Sequence, residues 1–212
     1  AIYFMKLTKQ RFEKFLDKDY LKGVEVTEAV RNYKVFSEIN DVAKEYEADL
    51  IVMGSHGASG FKEIFVGSNT EKVVRTSETP VLVIKEPIHD FKIEQAVFVT
   101  DFDPATMDAF LSSRNFFQLF DVEPKLLFVN VPEKFLSTKE MRSIASKFLA
   151  DASFDTPEIE DRIIYYDDYS LENGIFNYCN TVNADIIAIP THGRKGIAHF
   201  FYGSVGEDVA NH

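Results

Sequence analysis

The chain has 212 residues, 45% apolar and 27% charged, with a formal charge of −11 and one cysteine. That length and mix suit one large or two small globular domains with a real core, and exclude collagen-like, low-complexity and disordered classes. The acidic balance argues against a nucleic-acid partner, because a phosphate backbone needs a clustered basic surface and the basic clusters here are pairs such as Arg194-Lys195.

Cys179, as the single cysteine, leaves no intramolecular disulfide and no cysteine-based metal site, and its apolar helical position reads as core packing rather than a reactive thiol. No apolar run approaches the roughly 18 residues of a membrane span, and the opening AIYFMKLTKQRF lacks a signal peptide's cleavage region. A soluble protein of a reducing, cytoplasmic setting is expected, with no membrane partner.

In chain order, the first clear pattern is Val35, Ile39, Ala43 and Tyr46, whose spacings of four, four and three draw one apolar stripe along a helix. ADLIVMG (48–54) comes next as a short apolar run that reads as a buried parallel strand. GSHGASGFKEIFVGSNTEKVV (54–74) then sets a glycine-rich loop before an amphipathic helix, and TPVLVIKEP (79–87) is the next strand. EPIHDFKIE (86–94), with Pro87 and charged neighbours, reads as an exposed domain junction. Beyond it the pattern predicts strand 96–100, helix 104–120 with Asp103 as N-cap and Pro104 at the first position, and strand 126–131. Helix 138–152, strand 162–166, helix 171–182, strand 185–190, a second glycine loop and a last helix complete the series. Strict alternation of this kind predicts parallel sheets with helices on both faces.

Laid on itself at an offset of 136 residues, the chain repeats. SHGASGFKEIFVGSNTEKVV (55–74) falls on THGRKGIAHFFYGSVGEDVA (191–210) with eight of twenty positions identical and no gap. ADLIVMG falls on ADIIAIP, and the stripe residues fall on Leu171, Ile175, Cys179 and Val182. The first-copy counterpart of the strand, turn and helix at 96–111 would precede Ala1, and the second-copy counterpart of strand 79–87 would come after His212. The expectation is two tandem domains, at 1–87 and 88–212, in a chain truncated at both ends.

Ligands of such sheets bind beyond the carboxyl ends of the strands, where strand order reverses. Asp101, just past one strand, and both glycine loops belong at that edge. Gly57, Gly60 and Gly67 remove side chains where backbone must turn or approach a ligand, and Gly67-Ser68 opens a helix whose free amides and dipole favour an anion. The same features serve a plain strand-to-helix loop with Ser68 as N-cap. Neither the P-loop nor the dinucleotide fingerprint matches, and no lysine is placed for phosphoryl transfer. His56 and His192, at matching positions, read as loop-organising residues, since no nucleophile or metal cluster accompanies them; Glu63 and His199 are not equivalent between copies, and His89 reads as linker surface. Asp101 and Asp103 do not read as a metal pair, because Asp103 is explained as an N-cap.

Gly54-x2-Gly57-x9-Gly67-Ser68 resembles the ATP-binding signature of the universal stress protein family, and 49–85 resembles that family's segment from fourth to fifth strand. VFVTDF (97–102) is similar to its first-strand motif and KLLFVNVPE (125–133) to its second strand. The resemblance implies two tandem doubly wound domains of the Rossmann-like, adenine nucleotide alpha hydrolase-like type, each built on a five-stranded parallel sheet. It implies ATP or a related adenine nucleotide as ligand, with Mg2+ as an optional companion, in a stress-response regulator without substantial catalysis. The implied nucleotide contacts are Gly54, Gly57, Gly67 and Ser68 in the first copy, and Asp101, Val129, Gly193, Gly203 and Ser204 in the second. Pro190 stands opposite Gly54, and a proline there fixes φ and removes an amide, so the first copy is the better site. Arg194 and Lys195 read as solvent-facing. The family's edge-to-edge strand pairing implies intramolecular pairing of the two domains, with homodimerisation open beside it. Two other functions stand: a protein-interaction module whose glycine loops are structural remnants, and a slow ATPase.

Overall fold

A computed structural model of the chain describes residues 10–29, 35–54, 68–85, 91–153 and 157–191. Gly57, Gly67, Gly193, Gly203, Ser204, His56, Glu63, His89, His192, Arg194, Lys195 and His199 lie outside the described residues, as does the expected domain boundary at 87/88.

Helix α1 (10–16) opens the described chain, and a short 3-10 turn, Asp19–Leu21, comes after it. Helix α2 (Val35–Glu45) leads to strand β1 (Ile51–Gly54), helix α3 (Ser68–Thr76) and strand β2 (Val81–Ile84). The two strands pair in parallel, from Ile51↔Val81 to Gly54↔Ile84. Both are short runs rich in β-branched residues, which suit a pleated, half-buried surface.

The second series begins at β3 (Ala96–Val99), then a 3-10 turn at Pro104–Thr106 and α4 (Met107–Gln118). Next come β4 (Lys125–Asn130), α5 (Thr138–Asp151), the single turn α6 (Pro157–Glu160), β5 (Ile163–Asp167), α7 (Leu171–Thr181) and β6 (Ile186–Ala188). These four strands form one parallel sheet in the order β5-β4-β3-β6. Central β3 is buried at every position. The sequence pattern places each of these strands and the longer helices to within one or two residues, except that β6 stops at Ala188 short of Pro190, which has no N–H to extend a ladder. The helix expected from 104 begins instead as a 3-10 turn. The turn of α6 has no counterpart in the sequence pattern, since four residues carry too little periodicity to read.

Side chains alternate across a strand, so the sheet presents two unlike faces. Phe98, Leu126 and Phe128 meet Phe110 of α4 and Met141, Ala145, Phe148 and Leu149 of α5. Val97, Val99, Leu127 and Val129 meet Ile175, Tyr178 and Cys179 of α7 on the other face. Helices therefore cover both faces, as alternation requires. On the phenylalanine side the rings interlock: Phe98–Phe110 and Phe110–Phe148 meet edge-on with centroids 5.4 and 5.5 Å apart, arrangements worth about 0.5–1.5 kcal/mol each beyond their burial.

The starts of α5 and α7 are capped by side chains. Ser137 and Glu140 form a reciprocal capping box on α5, and Ser170 Oγ accepts from Asn173 N–H on α7 at 3.1 Å. The helix stops repeat the 136-residue offset in their backbone geometry. Glu47 and Asn183, at matching positions, have φ of 47° and 49°. The next amide in each case reaches back to the helix, Ala48 N–H to Ala43 O at 2.8 Å and Ala184 N–H to Cys179 O at 2.9 Å. A left-handed residue just past the helix closes the last turn and satisfies its carbonyls.

Two details fix the second sheet. Asp185 accepts backbone N–H bonds from Glu94 at 2.8 Å and Gln95 at 2.9 Å, tying the start of β6 to the start of β3. The Gln95 bond, then the Glu94 bond, hold its carboxyl below the ordinary aspartate range. Gly174 lets α7 lie against β4, because a Cβ there would collide with Val129 Cγ1.

Gly174→Val should destabilise the second sheet by about 1–3 kcal/mol through overpacking, read as a lower denaturation midpoint at unchanged slope; an unchanged midpoint would show slack in the α7–β4 contact. Asp185→Ala should cost on the order of 1 kcal/mol at neutral pH, since charged acceptors make the stronger bonds but these two are exposed to solvent screening. The wild-type contribution is present above the ordinary aspartate pKa and is lost as pH falls through the lowered native value, so the variant should show a shallower acid limb in stability against pH.

Candidate functional site

The strand order turns back at β3, which has β4 on one side and β6 on the other, and the chain leaves the carboxyl ends of both inner strands at one edge. Four short bonds shape the turn after β3. Thr100 Oγ1 accepts from Phe102 N–H at 2.8 Å, Asp101 Oδ1 from Asp103 N–H at 3.2 Å, and Asp103 Oδ1 from Ala105 N–H at 2.9 Å. Thr106 Oγ1 donates to Asp103 O at 2.8 Å. Asp103 is thus the N-cap that the sequence predicts. Asp101 is exposed at the edge, and its carboxylate anchors the turn by accepting from Asp103 N–H.

Phe102, between them, has φ of 57° although it is bulky and not glycine. That conformation is costly, and it is held by burial of the ring, stacked on Phe128 at 6.0 Å and edge-on to Phe148 at 5.8 Å. Sequence reasoning missed it, for nothing in TDFD marks a left-handed residue. Its effect is to send the backbone inward at Phe102 while Asp101 and Asp103 stay on the solvent side.

Val129 stands at the same edge. The ladder between β3 and β4 ends at Val99↔Leu127, with Thr100 N–H donating to Leu127 O at 2.9 Å. Residues alternate in the direction of their backbone groups along a parallel strand, so Val129 turns its N–H and C=O to the β3 side, two residues beyond the last pair. Its side chain is buried among α7 residues. Asp101 and Val129 therefore stand at the same sheet edge, with Val129 offering backbone rather than side chain. Buried Asn130 then ties the edge together: it donates to Asp167 Oδ1 at 2.9 Å and Leu136 O at 3.3 Å, and accepts from Leu136 N–H at 3.0 Å. Asp168 adds a bond from Asn177 Nδ2 at 2.9 Å, joining the next loop to α7.

In the first series, β1 ends at exposed Gly54, and Ser68 is the first residue of α3. Thr70 Oγ1 donates to Gly54 O at 3.0 Å, across sixteen residues of sequence. The first turn of α3 is thereby held at the carboxyl end of β1. In the second series Pro190 is buried just past β6, and the loop after Thr191 lies outside the described residues.

Burial pushes the Cys179 thiol up to about 11, so it stays protonated, as core packing predicts. Among the described residues no group of three or more His, Cys, Asp or Glu is placed to hold a metal ion, and no helix is long and apolar enough to cross a membrane.

Residues 5–85 match the family model described as the universal stress protein family. A universal stress protein of Methanocaldococcus jannaschii is 50% identical over 48 residues, covering 23% of this chain and 30% of the relative. The universal stress protein YxiE of Bacillus subtilis is 42% identical over 64 residues, covering 30% of this chain and 43% of the relative. The matches thus span less than half the length of these curated relatives. Among solved structures, a universal stress protein from Archaeoglobus fulgidus superposes with a TM-score of 0.63 at 20% identity, covering 98% of this chain and 74% of the other. A second, from Pseudomonas aeruginosa, does so with a TM-score of 0.63 at 13% identity over 91% of this chain and 70% of the other. At those identities the structural likeness speaks for the α/β fold, and the family model matches the chain over residues 5–85.

Proposed function

We propose that this chain is a tandem universal stress protein that binds ATP or a related adenine nucleotide, mainly through its first domain, and acts as a cytoplasmic stress-response regulator. The observation that supports the reading is the hydrogen bond from Thr70 Oγ1 to Gly54 O, which holds the first turn of the nine-residue helix α3 at the carboxyl end of β1, since the free amides of a helix start favour an anion. Gly57, Gly67 and Ser68 complete the proposed phosphate cradle.

The second domain, on this reading, contributes Asp101 to the ribose and adenine side and the Val129 backbone to the base, with Gly193, Gly203 and Ser204 as a weaker phosphate loop. The exposed position of Asp101 and the direction of the Val129 backbone suit those roles. Pro190 disfavours the phosphate side of that second site. Mg2+ would enter with the triphosphate, since no described cluster of side chains stands ready to bind it alone. Occupancy, rather than turnover, is the proposed signal.

Full-length protein purified under native conditions and then heated should release an adenine nucleotide. Added ATP with Mg2+ should raise the melting temperature by several degrees, since ligand at a hundredfold excess over Kd adds about 2.7 kcal/mol and a chain of this size gains roughly 2–4 °C per kcal/mol. An empty preparation with no thermal shift would leave the protein-interaction reading in its place. Gly67→Val should abolish the shift while leaving the circular dichroism spectrum intact. Asp101→Ala should leave the stronger site's Kd within about twofold and remove any weaker second binding event in calorimetry, as expected of separate sites; loss of the stronger event would place the main site in the second domain.

A further inference from the structure

We infer that the outer edge of β5 is an interface for a second copy of this chain, which adds its own β5 in antiparallel across a two-fold axis at Tyr165.

β5 is the outermost strand on its side of the sheet, at the opposite border from β6, and among the described residues it pairs with β4 alone. Leu126 N–H donates to Arg162 O at 2.9 Å, and Asp168 N–H donates to Asn130 O at 3.2 Å. Backbone groups alternate in direction along a parallel strand, so residues 162, 164, 166 and 168 face β4, and the N–H and C=O of Ile163, Tyr165 and Asp167 face outward. Proteins usually blunt such an edge with lysine, proline or a bulge, because a row of unpaired backbone groups invites another strand. β5 has none of these: its sequence is IIYYD, and its register against β4 runs unbroken from Leu126↔Ile163 to Asn130↔Asp167. Isoleucine and tyrosine are also strong strand formers.

A two-fold axis makes the contact self-complementary. Outward groups must oppose outward groups, which leaves a small set of antiparallel registers, and side-chain chemistry chooses among them. With Tyr165 opposite Tyr165, Ile163 opposes Asp167, Ile164 opposes Tyr166, and Arg162 opposes Asp168. Aromatic–β-branched and opposite-charge pairs are the favourable ones across strands. Arg162 and Asp168 share a face of β5, the α7 side, where Ile164 and Tyr166 pack and Asp168 accepts from Asn177 Nδ2 at 2.9 Å. Arg162 already donates to Glu123 at 2.8 Å, and a guanidinium has enough N–H groups for a second carboxylate. Moving the axis to residue 164 would set Asp161 against Asp167 and Glu160 against Asp168, and like charges directly opposite are destabilising. Moving it to residue 166 would set Arg162 against Ser170, without a carboxylate.

The test is the oligomeric state of the full chain by sedimentation velocity across a concentration series. Physiological ionic strength is used, because a charge of −11 on each copy opposes self-association at low salt. Wild type should be a dimer. Arg162→Glu and Asp168→Arg each set like charges opposite at both ends of the interface, and each should raise the dimer Kd by about tenfold or more. Mixed together, the two variants should dimerise as wild type does, since every reversed charge then meets an opposite one. Should either variant fail to fold, hydrogen exchange on wild type reads the same contact. The amides of Ile163, Tyr165 and Asp167 should exchange faster on dilution, while those of Ile164 and Tyr166 stay protected throughout. A wild type that stays monomeric, a dimer indifferent to both reversals, a mixture that stays monomeric, or outward amides that exchange alike at every dilution would overturn the assignment.

Discussion

The carboxylate of Asp185, holding the amides of Glu94 and Gln95, is the contact on which the second sheet's geometry turns. A doubly wound sheet needs one strand to accept neighbours on both sides, and here that strand is β3. The chain makes β4 and β5 on one side before returning to the other, so β6 must find its register against β3 late. Asp185 N–H also donates to Gln95 O at 2.9 Å, and the pairs Ala96↔Ile186 to Phe98↔Ala188 continue from there. A slip of one residue would exchange the faces of β6 and set its polar flank against the core.

The two sides of that sheet are packed differently, and the difference bears on the edge. On the α4–α5 side, large rings fill the space and enforce the left-handed turn at Phe102. On the α7 side, valines, Ile175 and Gly174 allow a close approach of helix to strand. One side therefore stores local backbone strain beside Asp101, while the other fixes the strand that presents Val129. Both hold the backbone at the carboxyl edge from beneath, where Asp101 and Asp103 are exposed.

Much of this architecture is legible in the sequence because it rests on period. Apolar runs mark the strands, stripes at helical spacing mark the helices, and the 136-residue echo marks the order in which they recur. Asp103 is legible too, because a cap before proline is a local signal. The features that escape depend on contacts between distant residues. The left-handed Phe102 is imposed by rings from β4 and α5, the Thr70 bond crosses sixteen residues, and the Asp185 clamp links residues about ninety apart. One of these leaves a trace: Asp49 and Asp185 both come after an alanine at the head of an apolar run, in matching positions of the repeat. The helix stops at Glu47 and Asn183 give less warning, since neither is the glycine that usually marks a left-handed cap.

Cys179 has a use that its inertness creates. It is the chain's one thiol, shut beneath α7 against Val97, Val99 and Leu127, and a reagent can reach it only when that helix lifts from the sheet. Its modification rate is therefore a clock on the opening of a single helix–sheet contact, read without adding any label site to the molecule. The native protein carries its own reporter of how firmly the second sheet is closed.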